Sequence, residues 1–427
     1  MTTTASGRLG GYVTLGGIGL LAGLLLGRPE PVALAAPFVL AVALGLALAR
    51  RPDLDVQVRL DRERVVEGEE VELVVAVRAR FAVARLEVEL QLPRNLLAEP
   101  RGPAGPSGLA AGATRTCRWT LTPQRWGGRL GPRVQVRARD PLGFFLYAMG
   151  ERRLPPLRVY PRPETLRRLV QPAETQAFAG NEVSRMRGDG IEFADVRAFL
   201  PGDRVRRINW RVSARRGGLH VNEMRPERNA DVVVFVDSFS DVREDAEAPD
   251  GTLDLAVRAA AALSRAYLQR RDRLGLIGFG GTLRWLRPEM GARQLYRVAE
   301  ALLDTEATFS YAWKGLEVIP SQTLPPKSLV VALTPLLDER SLAALLDLRG
   351  RGHDLSVIEV SPLPFVRPGR HESERLAYRL WEMERAALRT RFLARGVPLV
   401  TWRRGEPLEG ALAAAAAFRR AARVARV

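Results

Sequence analysis

Residues 232–237 read Val-Val-Val-Phe-Val-Asp, a short apolar run that ends in an acid. Further runs with the pattern of strands lie at 274–279, 283–286, 329–333, 355–360 and 398–402. They alternate with helical patterns near 252–270 and 292–304, from about 339, at 372–394 and at the C-terminal end. Short apolar strands must be covered on both faces, and intervening helices supply that cover. Residues 228–427 are therefore predicted to form a doubly wound α/β domain with a mainly parallel sheet.

A different periodicity precedes this region, from about residue 54 to residue 160. Polar and apolar residues alternate in the segments 55–60, 71–77, 86–92 and 133–137. Alternation with a period of two residues is typical of antiparallel strands that have one solvated face. Residues 53–162 are therefore predicted to form an Ig-like antiparallel β-sandwich, and the chain as a whole is an α+β multidomain protein.

Two uncharged apolar runs, 10–27 and 32–49, stand at the N-terminal end, separated by the turn Arg28-Pro-Glu-Pro31. Each is long enough to cross a hydrocarbon core of about 30 Å. A signal peptide has one apolar core, so two runs favour a transmembrane helical hairpin over residues 1–52 that contacts membrane lipid. The alternative is a buried hairpin of a soluble domain.

The charges that flank the hairpin predict its orientation. Arg8 precedes the first run and Arg50-Arg51 follow the second, which favours a cytoplasmic location for both ends and for the soluble domains. The predicted localisation is therefore the inner cell membrane, as a multi-pass protein. Glycines at 16, 19 and 23 would allow the two helices to approach closely.

Composition restricts the classes of function. The net charge is +17, but 63 of the 65 basic residues are arginines, a bias typical of a GC-rich genome. We therefore interpret the charge as a dispersed basic surface and expect no nucleic-acid partner. Cys117 is the single cysteine, and the histidines, His220, His353 and His371, lie far apart in sequence. One cysteine and three separated histidines do not favour a disulfide, a cysteine metal cluster or a Ser-His-Asp triad.

The segment 190–215 reads Gly-Ile-Glu-Phe-Ala-Asp-Val-Arg-Ala-Phe-Leu-Pro-Gly-Asp-Arg-Val-Arg-Arg-Ile-Asn-Trp-Arg-Val-Ser-Ala-Arg and lies in a predicted linker, residues 163–227. We expect Pro201-Gly-Asp203 to form a turn and Asp203 to cap a helix over 204–215. Such a helix would place Val205, Ile208 and Val212 on one face. A ridge of arginines would lie beside that face, formed by Arg204, Arg207, Arg211 and Arg215.

Two interpretations of this segment remain open. In the first, the helix docks on the α/β domain and its arginines pair with Glu192, Asp195, Glu223 and Glu227. Glu192 and Asp195 would share a helix face if their stretch is helical. In the second, a surface receives a partner protein or an anionic group, because Arg and Trp dominate binding hot spots. The candidate partner-binding residues are Glu192, Asp203, Arg207, Trp210 and Arg215.

The pattern Gly190-x-Glu192, Pro201-Gly-Asp203, Arg206-x-Ile-x-Trp210 and Ala214-Arg215 closely resembles the signature of the domain-of-unknown-function 58 family. The segments 125–132 and 140–145, the latter reading Asp-Pro-Leu-Gly-Phe-Phe, also resemble that family, and the likeness covers nearly the entire chain. We expect Phe144 and Phe145 to anchor their loop in the core. The resemblance implies a von Willebrand factor A-like domain for residues 228–427. It also implies association with a MoxR-type AAA+ ATPase and a membrane transglutaminase-like protein.

Ligands of doubly wound sheets bind beyond the carboxyl ends of strands, and the first such end reads Asp237-Ser-Phe-Ser-Asp241. The von Willebrand resemblance implies Asp-x-Ser-x-Ser at this point, which holds Mg²⁺ through oxygen ligands with help from a later Thr and Asp. Asp237 matches that pattern. Phe239 replaces the first serine, however, and Asp241 replaces the second.

The later ligand positions also depart from the pattern. Thr334-Pro335 stands where Ser-Asp is common, with Asp338 close behind, and the loop 304–315 offers Thr305 and Thr308 without the usual Gly-Gly-Thr. We therefore expect no cofactor and a lost metal site whose acid and hydroxyls cap the next helix. The alternative is Mg²⁺ bound by Asp237, Ser238 or Ser240, and Asp241.

These observations favour a non-enzymatic, membrane-anchored scaffold that works with a MoxR-type AAA+ ATPase in assembly or maturation of envelope complexes. The absence of a histidine, a cysteine or paired carboxylates near the signature argues against catalysis there. One alternative is an arginine-rich module that binds anionic lipid or nucleic acid, and the other is a metal-assisted hydrolase centred on Asp237. Homo-oligomerisation is left open.

Overall fold

The computed structural model describes residues 2–102, 105–172, 176–177, 192–201, 203–225, 228–245, 248, 250–307, 315–320 and 323–424. These residues belong to a mixed α/β chain with two compact units, Met1–Arg162 and Pro163–Val427. The α-helices are α1 (Gly7–Leu26), α2 (Glu30–Leu48), α3 (Trp210–Arg216), α4 (Thr252–Gln269), α5 (Ala292–Leu303), α6 (Glu339–Gly350), α7 (Glu372–Ala394) and α8 (Leu408–Val424). Short 3₁₀ turns lie at Val205–Arg207, Leu316–Val318 and Leu363–Phe365.

The strands of the first unit belong mainly to antiparallel sheets. They are β1 (Thr2–Ala5), β2 (Leu54–Leu60), β3 (Arg64–Val66), β4 (Val71–Ala79), β5 (Val83–Gln91), β6 (Leu96–Pro100), β7 (Ser107–Leu109), β8 (Thr114–Pro123), β9 (Gly127–Leu130), β10 (Arg133–Arg139), β11 (Phe145–Ala148), β12 (Arg152–Arg153) and β13 (Leu157–Tyr160). One sheet has the order β2-β4-β8-β6 and another β1-β11-β10-β5-β7. The strands predicted at 55–60, 71–77, 86–92 and 133–137 are confirmed as β2, β4, β5 and β10.

Alternation along these strands creates the core of the first unit. The four residues Val71, Leu73, Val75 and Val77 of β4 are fully buried, while the residues between them are partly exposed. They share one apolar cluster with Leu86 of β5 and with residues of β10, so the two sheets bury their inner faces against each other.

The helices α1 and α2 are both long and apolar enough, by length and composition, to cross a membrane. They pack closely because glycines face the partner helix. A Cβ atom added at Gly19 would lie 2.4 Å from the Cβ of Ala35, and one added at Gly23 would lie 2.3 Å from Cγ2 of Val32. The close approach expected from these glycines is therefore confirmed.

The loop 140–145 joins the helical hairpin to the sandwich in a way that differs from the prediction for its two phenylalanines. Phe144 packs against the apolar helices, with its ring centroid 5.4 Å from that of Tyr12 and its edge at Gly45. Phe145 is half-buried against the sandwich core. Asp140 accepts hydrogen bonds from the backbone N–H groups of Leu142 and Phe145, and this tight turn directs the two rings to different surroundings.

The strands of the second unit are β14 (Gln176–Ala177), β15 (Glu192–Ala198), β16 (His220–Arg225), β17 (Arg228–Asn229), β18 (Asp231–Ser238), β19 (Arg273–Gly280), β20 (Arg284–Glu289), β21 (Leu329–Thr334), β22 (Asp354–Val360) and β23 (Leu399–Trp402). Six of them form one sheet in the order β20-β19-β18-β21-β22-β23. All pairs in it are parallel except β19 with β20. The predicted alternation of strands and helices in this region is confirmed.

Both faces of this sheet are covered, because every residue of β18 is buried. Val233 and Phe235 share an apolar cluster with residues of α6 and α7, whereas α4 packs on β18 and α8 on β22 and β23. The order of strands reverses direction between β18 and β21. In an open α/β sheet, the carboxyl ends of the strands at such a reversal border the usual crevice for ligands.

Candidate functional site

The signature segment forms a β-hairpin. Strand β15 pairs antiparallel with β16, and residues 199–219, called here the hairpin connection, join them. Backbone hydrogen bonds of 2.8 Å close this connection, from Phe199 N to the carbonyl oxygen of Leu219 and from Asn209 N to that of His220. The connection therefore folds back on its own hairpin.

The helix predicted over 204–215 is wrong in extent and in its cap. Val205–Arg207 is a 3₁₀ turn, Ile208 bridges to Val221, and α3 begins only at Trp210. Asp203 does not cap a helix, because both of its oxygens accept hydrogen bonds of 2.7 Å from the Arg197 guanidinium. Its Oδ2 also accepts from Leu200 N at 2.8 Å, so the carboxylate instead links Leu200 to Arg197 at the start of the hairpin connection. The Arg197 hydrogen bond, with the Leu200 N–H, lowers the pKa of Asp203 to about 2.

Asn209 supplies the cap that was assigned to Asp203. Its Oδ1 accepts from Val212 N at 3.2 Å, and its Nδ2 donates to Oδ1 of Asn222 on β16 at 2.8 Å. Ser213 Oγ accepts from His220 N at 2.9 Å, which fastens the middle of α3 to the same strand. Asparagine is a favoured N-cap residue, so Asn209 was the signal in the sequence that could have located the start of this helix.

The shorter helix changes which apolar residues are covered. Ile208 is buried and Val212 half-buried, but Val205 is 65% exposed, against the prediction of one shared apolar face. Trp210 is also 65% exposed, and Leu200 and Leu219 are 53% and 48% exposed. The hairpin connection thus presents four large apolar side chains to solvent.

The five candidate partner-binding residues have different surroundings. Trp210 and Arg215 are exposed, whereas Arg207 is half-buried and engaged in an interaction. Asp203 is held by Arg197. Glu192 lies on β15, and its side chain is outside the described residues.

The acids proposed to pair with a docked helix also differ from expectation. Asp195 lies on β15, so it shares no helix face with Glu192, and its Oδ1 accepts from Val196 N at 2.7 Å. The side chain of Glu223 and all of Glu227 lie outside the described residues.

The strand-end site is formed where β18 and β21 finish side by side. The side chain of Asp237 is almost completely buried, and its Oδ2 accepts a hydrogen bond of 2.6 Å from Thr334 Oγ1. Oδ1 accepts from Phe239 N at 3.1 Å. Burial raises the pKa of Asp237 to about 6, since the hydrogen bonds only partly offset the loss of hydration.

An arginine from the next helix covers this site. Asp338 caps α6, and the Arg340 guanidinium donates to its two carboxylate oxygens at 2.8 and 2.7 Å. The guanidinium carbon lies 4.0 Å from the centroid of the Phe239 ring. The Asp338 hydrogen bond and, more weakly, the charge of Asp237 raise the pKa of Arg340.

Asp241, and not Asp237, caps the following helix. Its Oδ1 accepts from Leu253 N in the first turn of α4 at 3.0 Å, and its Oδ2 accepts from Arg243 Nε at 2.7 Å. Arg243 also reaches Asp254 at 2.5 Å. Asp241 is therefore held within an ion cluster at the start of α4.

The remaining candidate ligands have different surroundings. Ser238 is buried and Ser240 half-buried, while Thr305 Oγ1 donates to the Ala301 carbonyl oxygen at 3.4 Å. Thr308 lies outside the described residues. Within the part of the chain that the structure describes, no group of three or more His, Cys, Asp or Glu side chains is arranged to hold a metal ion.

A buried Ser328–His353 pair, with Oγ 3.2 Å from Nδ1, lies at the opposite ends of the strands from the strand-end site. Ser328 precedes β21 and His353 precedes β22, so both stand at amino ends of strands. Burial lowers the pKa of His353. The pair is remote from the strand-end site.

Comparison with known proteins bears on the segment that contains both sites. Residues 195–363 match the family model described as "Protein of unknown function DUF58". Uncharacterized proteins of Mycobacterium bovis and Mycobacterium tuberculosis are 31% identical over 137 residues, which are 32% of this chain and 42% of theirs. The match thus spans less than half the length of these curated relatives.

The solved structures that resemble parts of this chain have low TM-scores. The GAE domain of GGA2p from Saccharomyces cerevisiae has a TM-score of 0.20 at 12% identity and covers 25% of this chain and 93% of that one. A FixG-related protein from Vibrio parahaemolyticus has a TM-score of 0.18 at 11% identity and covers 24% of this chain and 95% of that one. Such scores support no inference about this chain. The family match, which runs from β15 to the turn after β22, confirms the resemblance expected from the signature for residues 195–363, which are less than half of the chain.

Proposed function

We propose that this protein is a non-enzymatic, membrane-anchored protein-interaction protein, and that the hairpin connection is its contact surface. The observation that carries the proposal is the exposure of Trp210, Val205, Leu200 and Leu219 on one short connection. Large apolar side chains are rarely left in solvent in such a group unless they meet a partner. Tryptophan flanked by arginines is the composition typical of binding hot spots.

The rigidity of the connection supports the same proposal. The Arg197–Asp203 ion pair fixes its first turn, and the Asn209–Asn222 and Ser213–His220 hydrogen bonds fix α3 on β16. A surface that is ordered before binding loses less conformational entropy in a complex. The exposed side chains are therefore presented on a prepared framework.

The engagement of the described acids in the hairpin connection and at the strand-end site supports a non-enzymatic function. Asp203 and Asp241 are each engaged by an arginine, and Asp237 is buried beneath Thr334 and the Phe239–Arg340 contact. We also infer that the strand-end site takes no Mg²⁺. Hard cations need several accessible oxygen ligands, and here the carboxylates already accept hydrogen bonds while a guanidinium supplies the positive charge.

The family resemblance supports the finer parts of the proposal. The α/β part is proposed to be von Willebrand factor A-like, since its strand order and the acid at the end of β18 agree with that class. Helices α1 and α2 are proposed to span the inner membrane, with the soluble units on the cytoplasmic side. A MoxR-type AAA+ ATPase and a membrane transglutaminase-like protein are the proposed partners, in the assembly or maturation of envelope complexes.

The alternative function is self-association through a different exposed surface. Leu376, Leu380 and Met383 recur at helical spacing on α7 and are all more than half exposed. A second copy of the chain could use this stripe without involving the hairpin connection. Variants of the two surfaces separate these arrangements.

The test is co-purification of the full chain with the MoxR-type ATPase of its own organism, using Trp210→Ala. The matched control is Trp285→Ala, which removes another partly exposed tryptophan in the same unit, on β20. We expect Trp210→Ala to reduce capture of the ATPase at least about tenfold and Trp285→Ala to leave it unchanged. Equal capture by both variants would contradict the assignment of the surface.

Salt separates this function from the anionic-ligand alternative. An apolar interface around Trp210 should keep its affinity between about 50 and 300 mM salt, whereas binding of nucleic acid or a lipid surface by arginines falls steeply over that range. Loss of the complex at the higher concentration would favour the alternative.

A further inference from the structure

A cavity of about 540 Å³ in the second unit is lined by an unusual number of cations. Its walls come from the segment 163–172, the C-terminal end of α4 and one face of α8. Five arginines line it, namely Arg167, Arg168, Arg270, Arg419 and Arg420. The volume lies in the range of small-molecule sites.

The walls are held together before any ligand binds. The Tyr267 hydroxyl of α4 donates to the Val170 carbonyl oxygen at 2.7 Å, and Leu169 and Val170 are buried. Arg270 Nη2 donates to the Arg167 carbonyl oxygen at 3.0 Å. The segment that carries Arg167 and Arg168 is therefore fixed on the end of α4.

Helix α8 supplies both room and charge. Ala413 and Ala416 lie one turn apart on the cavity wall, followed by Arg419 and Arg420. The two methyl side chains leave the space between the helix and the segment 163–172 open. The arginines stand at the end of that space.

Arg419 is the cation that most needs a ligand. Its side chain is nine-tenths buried and pairs with Asp354 through Nη2. Its Nη1 is also buried but has no hydrogen-bond partner in the described part of the chain. A buried guanidinium nitrogen without an acceptor is costly, so an oxygen atom from a ligand in the cavity would stabilise it.

The charge balance of the cavity is strongly positive. No acid is among the described residues that line it. The acids that act on the adjacent Tyr267 are Asp272 and Asp354. Asp354 pairs with Arg419, and Asp272 accepts from Ala230 N. Five guanidinium groups against two carboxylates leave a positive excess, and guanidinium groups match the paired oxygens of phosphate.

We propose that this cavity binds an anion that carries phosphate groups, with Arg419 as the buried contact and the four more exposed arginines around it. The phosphate can come from a small soluble molecule or from the headgroup of an anionic lipid. This site is separate from the hairpin connection and does not depend on the proposed protein partner.

The test is calorimetric titration of the full chain in an uncharged detergent. One arm uses inorganic pyrophosphate. The other uses short-chain phosphatidylglycerol below its micelle concentration, with phosphatidylcholine of equal chain length as its control. The variant is Arg168→Gln with Arg420→Gln, and the matched control is Arg391→Gln with Arg395→Gln. Each pair removes two positive charges, and all four arginines are exposed.

We expect the wild type to bind at least one anionic probe and the cavity variant to bind it at least about tenfold more weakly, because each charge-assisted hydrogen bond contributes about that factor. The control pair should change the dissociation constant less than about twofold. Binding of pyrophosphate alone assigns a soluble ligand, and binding of phosphatidylglycerol alone assigns a lipid headgroup.

Two results would overturn the proposal. One is the absence of heat from both anionic probes at millimolar concentration, which would make the arginines a solvated set at helix ends. The other is an equal loss of affinity in both double variants, which would show attraction to net charge only. Arg419→Gln provides a further variant, and the exposed pair keeps the test valid if Arg419→Gln fails to fold.

Discussion

The buried carboxyl of Asp237 provides a quantitative prediction about the strand-end site. Its pKa is raised from 3.8 to about 6, chiefly by burial. Between these two values the folded protein keeps a proton that the unfolded chain releases. Folding stability therefore falls as pH rises through this window, and the loss is complete above about pH 6.

The magnitude follows from the two pKa values. A difference of about two pH units, at about 1.4 kcal/mol per unit, corresponds to about 3 kcal/mol of destabilisation at neutral pH. Asp237→Asn removes the titrating group and keeps its shape. The amide oxygen can accept from Phe239 N and the amide nitrogen can donate to Thr334 Oγ1. We therefore expect Asp237→Asn to stabilise β18 by up to about 3 kcal/mol at about pH 7.5 and to have little effect near pH 4.

Hydrogen exchange of the β18 and β21 peptides, measured on the full chain in detergent, reports the local free energy of opening. Variant and wild type are compared at the same pH, so the intrinsic exchange rate cancels. Thr334→Val is the opposite control. It removes the donor to the carboxylate and also the acceptor for Leu336 N, so it should destabilise these strands at both pH values and more strongly at the higher one. The reasoning is refuted if Asp237→Asn destabilises the strands at about pH 7.5, because the carboxylate would then be stabilised by a cation.

Three further changes test other parts of the fold. Arg197→Met removes the main hydrogen bonds to Asp203, so the pKa of Asp203 should rise from about 2 and hydrogen exchange in the hairpin connection should increase. Gly45→Val would place a Cβ 2.3 Å from Cδ2 of Phe144, so it should lower the stability of the first unit by about 1–3 kcal/mol in thermal unfolding. The control is Gly17→Ala, which should not lower the stability because its added Cβ meets nothing within 4 Å. Arg385→Met removes one of the two arginine partners of Glu359, whose side chain is 1% exposed. It should lower the free energy of unfolding by about 3–5 kcal/mol and make α7 sensitive to limited proteolysis. Arg379→Met, on the exposed face of α7, should have neither effect.

Local patterns predicted the regular elements because those elements depend on local chemistry. The apolar run 232–237 became the buried strand β18, and the alternation in 71–77 became β4. The helix predicted over 204–215 was wrong because two contacts with other residues decide the geometry there. Arg197 binds the carboxylate of Asp203, and Asn222 positions Asn209. A helical pattern alone does not contain these contacts.

Features assembled over long sequence distances were missed for the same reason. Strand β1 pairs with β11, more than a hundred residues later. The cationic cavity brings the segment 163–172 together with the far end of α8. Phe144 and Phe145 are adjacent in sequence but pack against the helical hairpin and the sandwich core, respectively. In each case the sequence shows the residue types, and tertiary packing decides which of them meet.

A photoreactive residue at position 205 tests most directly whether the hairpin connection is a contact surface. Val205 is 65% exposed, so the substitution leaves the framework and Trp210 intact, and position 318, where Val318 is 44% exposed, provides the control. After illumination of intact cells at normal expression, we expect one discrete protein adduct from position 205, lost in Trp210→Ala and retained in Trp285→Ala. Adducts of equal yield from positions 205 and 318, or an adduct unaffected by Trp210→Ala, would contradict a binding role for this surface.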